Sequence, residues 1–534
     1  MIRDPIRAGL ASGWKVTDAS MLERDLVLDA DVAIVGTGAG GGVTAEILAE
    51  AGLEVVLVEE GPLKSSSDFR MLEAEAYPQL YQESAARKTL DKAITILQGR
   101  AVGGSTTVNW TSSFRTPEAT LAHWRSRFGL AALTSSDLAP WFERMERRLA
   151  VAPWSVPANE NNDLLRRGGE KLGIATAAIR RNVSGCLNLG YCGMGCPTNA
   201  KQSMLVTTIP ATLDRGARLV CLARAVRLRL SRRGAEALEC HALDAHGVRA
   251  TGRRISVRAR HYVIAAGGIG SPALLLRSGA PDPHRVLGFR TFLHPTVISA
   301  AVMPGPVHGY AGAPQTVYSD HFLERGPVDG PIGFKLEAAP LHPVLFGMTL
   351  QGFGEWHAGK MKSFPNAHVL IALLRDGFHR DSPGGNVGLR DDGSPVLAYG
   401  LTPYIWDGVR RALLAMAEIQ FAAGAREVLP VHERAKSYAT LADARAGIAA
   451  LPLEPLLTRV VSAHVMGGCG MADEPRRGVV DAQGRHFQLE NVSVHDGSVF
   501  PTSLGTNPQL SIYALTARNA VALAATLTGR SSGG

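Results

Sequence analysis

Gly36, Gly38 and Gly41 stand in G-x-G-x-x-G spacing directly after the apolar run Asp31 to Val35 and directly before Val43 to Ala51. A strand that ends in such a turn and feeds a helix puts free backbone N–H groups and the positive end of a helix dipole where a pyrophosphate can lie. A second apolar run, Glu54 to Val58, ends in Glu59, about twenty residues on, where a carboxylate can meet the ribose hydroxyls of an adenosine. Together the two runs predict a dinucleotide-binding unit rather than an incidental glycine turn. Such units serve NAD and FAD alike, so the cofactor must be read from elsewhere.

Strand, helix and strand alternate here as in a parallel α/β sheet, and strand-like stretches recur at Tyr262 to Ala266 and Val492 to His495. Three separated parts, 28–115, 205–289 and 456–530, are therefore expected to form one discontinuous nucleotide-binding domain of Rossmann type. Residues 290–455 hold the extended segments Pro331 to Leu336 and Val344 to Gln351 and the helical stretch Tyr404 to Phe421, and read as an inserted sheet-based α+β domain that takes substrate. Residues 116–204 read as a helical, Cys-containing segment over the cofactor, and 1–27 as an N-terminal extension. The Ser/Gly tail, Ser531 to Gly534, is expected to be disordered.

A net charge of +8 on 534 residues, with Lys and Arg scattered, argues for a solvated basic surface and against nucleic-acid binding. The longest weakly polar run, Val263 to Leu276, is shorter than a membrane span and is broken by Gly267, Gly268, Gly270, Ser271 and Pro272, so no transmembrane helix is expected. Met1 to Val16 carries Arg3, Asp4, Arg7 and Lys15 and lacks the apolar core of a secretory signal. The expected location is cytoplasmic, with export or membrane association through a partner subunit as the alternative.

Three further stretches carry a family resemblance. Gly99-Arg100-Ala101-Val102-Gly103-Gly104-Ser105-Thr106-Thr107-Val108-Asn109 and the run Gly267 to Gly279 are similar to the two signatures of the glucose/methanol/choline oxidoreductases, and Ser462 to Ala520 resembles that family's active-site region. The resemblance implies FAD as cofactor and an alcohol as substrate. It places the GGST loop beside the flavin, with Arg100, Val102, Gly104, Ser105 and Asn109 as cofactor contacts and Val226 as a further one. It also gives Asp496 and Gly497, in Val-His-Asp-Gly-Ser, to the ribityl or pyrophosphate part. Ser271 and Pro272 read as the cap and first residue of a helix.

Oxidising an alcohol means removing the hydroxyl proton while hydride leaves for the flavin, so the protein must supply a base and a donor to the oxygen. His464, in Ala-His-Val-Met-Gly-Gly-Cys, and Asn507, in Gly-Thr-Asn-Pro-Gln-Leu, stand where the family carries its catalytic pair. A His/Asn pair, rather than two histidines, makes this region most similar to the cholesterol oxidases. Asn507 also precedes Pro508 and the apolar run Leu510 to Leu527, so its oxygen is expected to cap that helix while its amide donates to substrate.

Three of the six cysteines, Cys186, Cys192 and Cys196, crowd into CLNLGYCGMGCPTNAKQS. This segment resembles one in long-chain alcohol oxidases and related bacterial dehydrogenases, and its spacing resembles relatives in which three thiolates hold a 3Fe-4S cluster. Packed thiols in a glycine loop, an iron–sulfur ligand set and a disulfide all remain open. With a cluster, electrons leave through a protein relay; without one, dioxygen, a quinone or a redox protein reoxidises the flavin. The readings set against an alcohol oxidase or dehydrogenase with an apolar substrate are a flavin electron-transfer module with a vestigial alcohol site and an NAD-dependent dehydrogenase.

Overall fold

Val, Ile and Leu dominate Val32 to Val35, Val55–Val58 and Tyr262 to Ile264, which are buried on both faces, the pattern of central parallel strands. The computed structural model describes residues 4–323 and 325–529; the tail Ser531 to Gly534 lies outside them. The first sheet runs in the order Lys15–Asp18, Arg218–Cys221, Val55–Val58, Leu26–Val35, Ala250–Ile264, Ala235–Leu243, Ala223–Leu230, with Val492–Val494 beside the end of Ala250–Ile264. Pairing is parallel from Lys15–Asp18 to Ala250–Ile264 and antiparallel beyond. Ala250–Ile264 is long enough to serve both parts: its first half closes the antiparallel flap and its last three residues hold Val492–Val494.

The second sheet runs Ile94–Ile96, Val460–Ser462, Thr296–Val302, Ala367–Leu374, Phe334–Ala338, Val317–Ser319, Ala177–Ala178, with Glu427–Pro430 also on Thr296–Val302. Its residues alternate faces, as a pleated strand requires. Val297, Ala301, Leu370, Ala372 and Leu374 pack under the helix Pro403–Ala422, whereas Thr296, Ile298, Ala300, Val369, Ile371 and Leu373 face a cavity shared with the first sheet.

Several sequence expectations shift. The described part of 1–27 is no appendage, because Lys15–Asp18 pairs with Arg218–Cys221 as an edge strand. Ile94–Ile96 and Val460–Ser462, expected in the nucleotide-binding domain, join the second sheet. Val344 to Gln351, read as extended, is mostly the helix Pro343–Thr349: proline starts it, and the Glu73 carboxylate accepts from the N–H groups of Val344 and Leu345 at 2.7 and 2.8 Å. Ser271 and Pro272 lie inside the helix Gly267–Arg277 instead of opening it, although the Ser271 hydroxyl does accept from the N–H of Ala266. The helix Gln509–Thr528 is long and apolar enough to cross a membrane, but it packs against Ala39–Glu50 and Ser135–Arg148 with most of its residues buried.

Candidate functional site

The parallel strands of the first sheet end along one line, and the backbone beyond them, Gly36, Glu59, Ala223, Ala265 and Asp496, lines one end of a cavity of about 1270 Å3. Gly36 has φ +93°, and a Cβ there would stand 2.3 Å from the Ala265 carbonyl oxygen. At Gly41 a Cβ would meet the Gly36 oxygen at 1.9 Å, and at Gly40, outside the three-glycine pattern, it would meet the His495 oxygen at 1.5 Å. These three glycines let helix, turn and sheet close on one another. Gly38 is different: its Cβ would meet only the Cα of Gly104, at 3.7 Å, so the space in front of it belongs to a ligand. Gly38 is also the N-cap of Ala39–Glu50 and offers that helix no side-chain acceptor, which leaves first-turn N–H groups for an anion.

Glu59 is buried and already engaged. One carboxylate oxygen accepts from the Thr37 N–H and hydroxyl at 3.0 and 2.7 Å, the other from the Gly61 N–H at 2.9 Å, and burial raises its pKa against these donors. It still lines the cavity, where its remaining lone pairs can meet hydroxyl donors. Val226, Arg100, Gly104, Ser105, Asn109 and Asp496 also line the cavity. Arg100 is tied down by the carbonyls of Gly247 and His246, Asn109 donates to Gln509 at 2.7 Å, and the Ser105 hydroxyl accepts from Gly99. Val102 lies in the core and Gly497 behind Asp496, both off the cavity wall. Asp496 joins the C-terminal loop to the Gly267–Arg277 helix, accepting from the Gly267 N–H at 2.8 Å, the Ser271 hydroxyl at 2.5 Å and the Ser498 N–H at 2.8 Å. Burial raises its pKa as well.

At the far end His464 and Asn507 both reach the cavity, beneath the apolar sheet face. The ring of His464 meets a second histidine edge-on, with its Nδ1 3.2 Å from Nδ1 of His294, and burial holds it down at about 4. Asn507 does not cap the following helix: the N-cap is Pro508, and Asn507 Oδ1 is buried without a hydrogen-bond partner. Pro508 takes a helical conformation (φ −86°, ψ −13°), which sets Asn507 one residue too far back to reach the first turn. Its side chain lies instead against Glu337, a buried carboxylate on the second sheet that also accepts from Gln315 at 2.6 Å. Burial pushes Glu337 up to about 7, with Lys335 acting in the opposite direction.

The cysteine loop is fastened by a lysine. Lys201 is buried and donates to the carbonyls of Thr107, Asn109 and Cys192 at 2.9, 2.7 and 2.6 Å, pinning the loop to the GGST segment; burial brings its pKa down to about 8. The thiols have separate neighbours: Cys186 accepts from the Asn188 N–H, Cys192 from Arg181, and Cys196 contacts the Thr198 hydroxyl. All three are free thiols, and among the described residues no group of three or more His, Cys, Asp or Glu side chains is disposed to hold a metal ion. Each sulfur is turned to a different polar partner, an arrangement that does not fit the three-thiolate ligand set that the spacing suggests.

The description GMC oxidoreductase matches residues 77–296 and again residues 382–516. A GMC-type oxidoreductase of Mycobacterium tuberculosis is 32% identical over 497 residues, which cover 92% of this chain and 75% of that one. The chain belongs to the GMC oxidoreductase family. As a GMC oxidoreductase it is an FAD-dependent oxidoreductase. Other relatives include a GMC-type oxidoreductase of Sinorhizobium fredii, 29% identical over 94% of this chain and 96% of that one, and a long-chain-alcohol oxidase of Arabidopsis thaliana, 28% identical over 93% and 69%. Formate oxidase of Aspergillus oryzae shares the fold at TM-score 0.67 with 15% identity, covering 94% of this chain and 99% of that one.

Sequence reasoning missed His294, Glu337, Gln315, Lys201 and Gly40. A signal existed for two of them. Glu337 alternates with apolar residues in Phe334–Ala338, two positions after Lys335, and Gly40 sits within the glycine run itself. Nothing in Leu293-His294-Pro295 marks that histidine among the sixteen.

Proposed function

We propose that this GMC oxidoreductase oxidises the CH–OH group of an apolar alcohol, with His464 and Asn507 on the alcohol oxygen. The observation that carries the reading is the continuity of the cavity: it passes from Gly38 and Gly104 to His464 and Asn507 under the aliphatic face of Ile298, Ala300, Val369, Ile371 and Leu373. The open space before Gly38, the uncapped helix start and the Glu59 lone pairs fit the phosphates and ribose of FAD. FAD, when bound, supplies the hydride acceptor.

The chain's own work is to bind, to orient and to take a proton. The sheet face desolvates an aliphatic body, at about 25 cal/mol per Å2 of apolar surface buried. At the oxygen, the Asn507 amide is a neutral donor that becomes more favourable as negative charge develops. Glu337, buried behind Asn507 and off the cavity wall, has its pKa near neutrality, which suits it to hold the released proton, whereas His464, on the wall and at about 4, is neutral at pH 7. The similarity to long-chain-alcohol oxidases favours an aliphatic alcohol and dioxygen as electron acceptor.

Variants His464→Ala and Asn507→Ala, with FAD content and melting temperature matched to wild type, test the site. Reduction of their flavin by alcohol is expected to slow by roughly a hundredfold or more. Wild-type rates in both would remove the pair from the reaction.

A further inference from the structure

Gly505, two residues before Asn507, donates its backbone N–H to Nε2 of His294 at 2.9 Å. A peptide N–H can only donate, so this ring nitrogen carries no proton and neutral His294 carries its proton on Nδ1. Nδ1 faces Nδ1 of His464 at 3.2 Å, and one of these two nitrogens must donate to the other. Since His294 holds the proton, His464 accepts at Nδ1 and carries its own proton on Nε2. The opposite arrangement would leave His294 with two acceptors and no proton, an imidazolate.

Both conditions of the argument are built into the fold. His294 is 1% exposed, and burial first, with His464, Lys335 and Arg375 acting in the same direction, holds its pKa well below the ordinary value, so the ring stays neutral. Its backbone lies in the left-handed region at φ +45°, unusual for a residue other than glycine, and is held there by Asp376, whose carboxylate accepts from the N–H groups of Leu293 and His294 at 3.0 and 3.1 Å and from the Tyr399 hydroxyl at 2.6 Å.

We infer that His294 is a positioning residue that fixes His464 in the Nε2–H tautomer, so that His464 meets the alcohol oxygen as a hydrogen-bond donor and not as the base the sequence suggests. Two donors, His464 and Asn507, then face the oxygen as it gains charge. The inference rests on the proposed contact between His464 and substrate.

The test puts a donor or an acceptor at one place. His294→Asn keeps an N–H facing His464; His294→Asp puts an acceptor there and turns the His464 proton to Nδ1. In protein labelled with 15N-histidine, with His464 assigned by its absence in His464→Gln, the His464 Nε2 signal should be of the protonated type in wild type and in His294→Asn, and of the unprotonated type in His294→Asp. Flavin reduction should remain within about tenfold of wild type in His294→Asn and fall by roughly a hundredfold or more in His294→Asp. An unprotonated Nε2 in wild type, or wild-type reduction in His294→Asp, overturns the inference. Should His464→Gln itself reduce flavin normally, it is the substrate contact that fails, and the nitrogen spectra still report the tautomer separately.

Discussion

Glycines 38 and 40 lie two residues apart and should fail in opposite ways. At Gly38 the backbone is extended (φ −70°, ψ −160°), a conformation open to any residue, and an added Cβ meets nothing nearer than 3.7 Å. Gly38→Ala should therefore fold as well as wild type, and the loss of unfolded-chain freedom can even add about 0.4–1 kcal/mol. Its side chain, and more so that of Gly38→Val, fills the space for the pyrophosphate. Losing one charge-assisted bond to phosphate, about 1.5–3 kcal/mol, weakens FAD binding by roughly ten- to a hundredfold, and valine should give colourless protein. At Gly40 the Cβ would sit 1.5 Å from a backbone oxygen of His495, which no rotamer can relieve, so helix and loop must separate. Gly40→Ala should lose on the order of 3 kcal/mol of stability with or without FAD. Urea unfolding of the FAD-free proteins and FAD titration by flavin fluorescence separate the two effects. Wild-type FAD affinity in Gly38→Val would refute the pyrophosphate assignment, and wild-type stability in Gly40→Ala would refute the packing argument.

Flavin reduction by alcohol should rise with pH through about 7, because the Glu337 carboxylate accepts a proton only when ionised and burial raises its pKa; Glu337→Gln should be slow and lose this step in a stopped-flow pH series. Lys201→Met strands three buried carbonyls, at about 1–3 kcal/mol for each left unsatisfied, and should lower the urea midpoint; an unchanged midpoint would mean the loop is pinned by other contacts. Ile371→Glu places a charge on the aliphatic wall and should raise KM for long aliphatic alcohols about tenfold or more without loss of bound FAD, measured by steady-state kinetics beside the absorbance ratio. Protein purified without oxygen should contain no iron or acid-labile sulfide in amounts near one cluster per chain; about three irons per chain would overturn the separate-thiol arrangement.

The nucleotide-binding half was legible because its rules are local. A glycine turn between Val35 and Val43 and an acid after Val58 are set by what one strand, one turn and one helix can accommodate, and the structure places Gly36, Gly38, Gly41 and Glu59 together. The second sheet was harder to read. Val344 to Gln351 looks extended until Glu73, far away in sequence, caps it as a helix. His464 and Asn507 were found through resemblance, but His294 and Glu337 come to them across sheet pairings separated by more than a hundred residues, which no local pattern encodes. The cap role of Asn507 failed for a related reason: local propensity favoured it, and the contact with Glu337 took the side chain elsewhere. The cysteine spacing suggested a ligand set, yet Arg181, Asn188 and Thr198 each claim one sulfur.

The central claim is that an alcohol hydroxyl enters the cavity at His464 and Asn507 and gives its hydride to FAD. Anaerobic mixing of the purified yellow protein with a panel of alcohols, followed by flavin absorbance in a stopped-flow instrument, tests it directly. Aliphatic alcohols should bleach the flavin in a single saturable phase, with affinity increasing along the chain-length series by about 0.8 kcal/mol per buried methylene. A flavin that stays fully oxidised with every alcohol, in protein that carries FAD and is reduced by dithionite, would contradict the account.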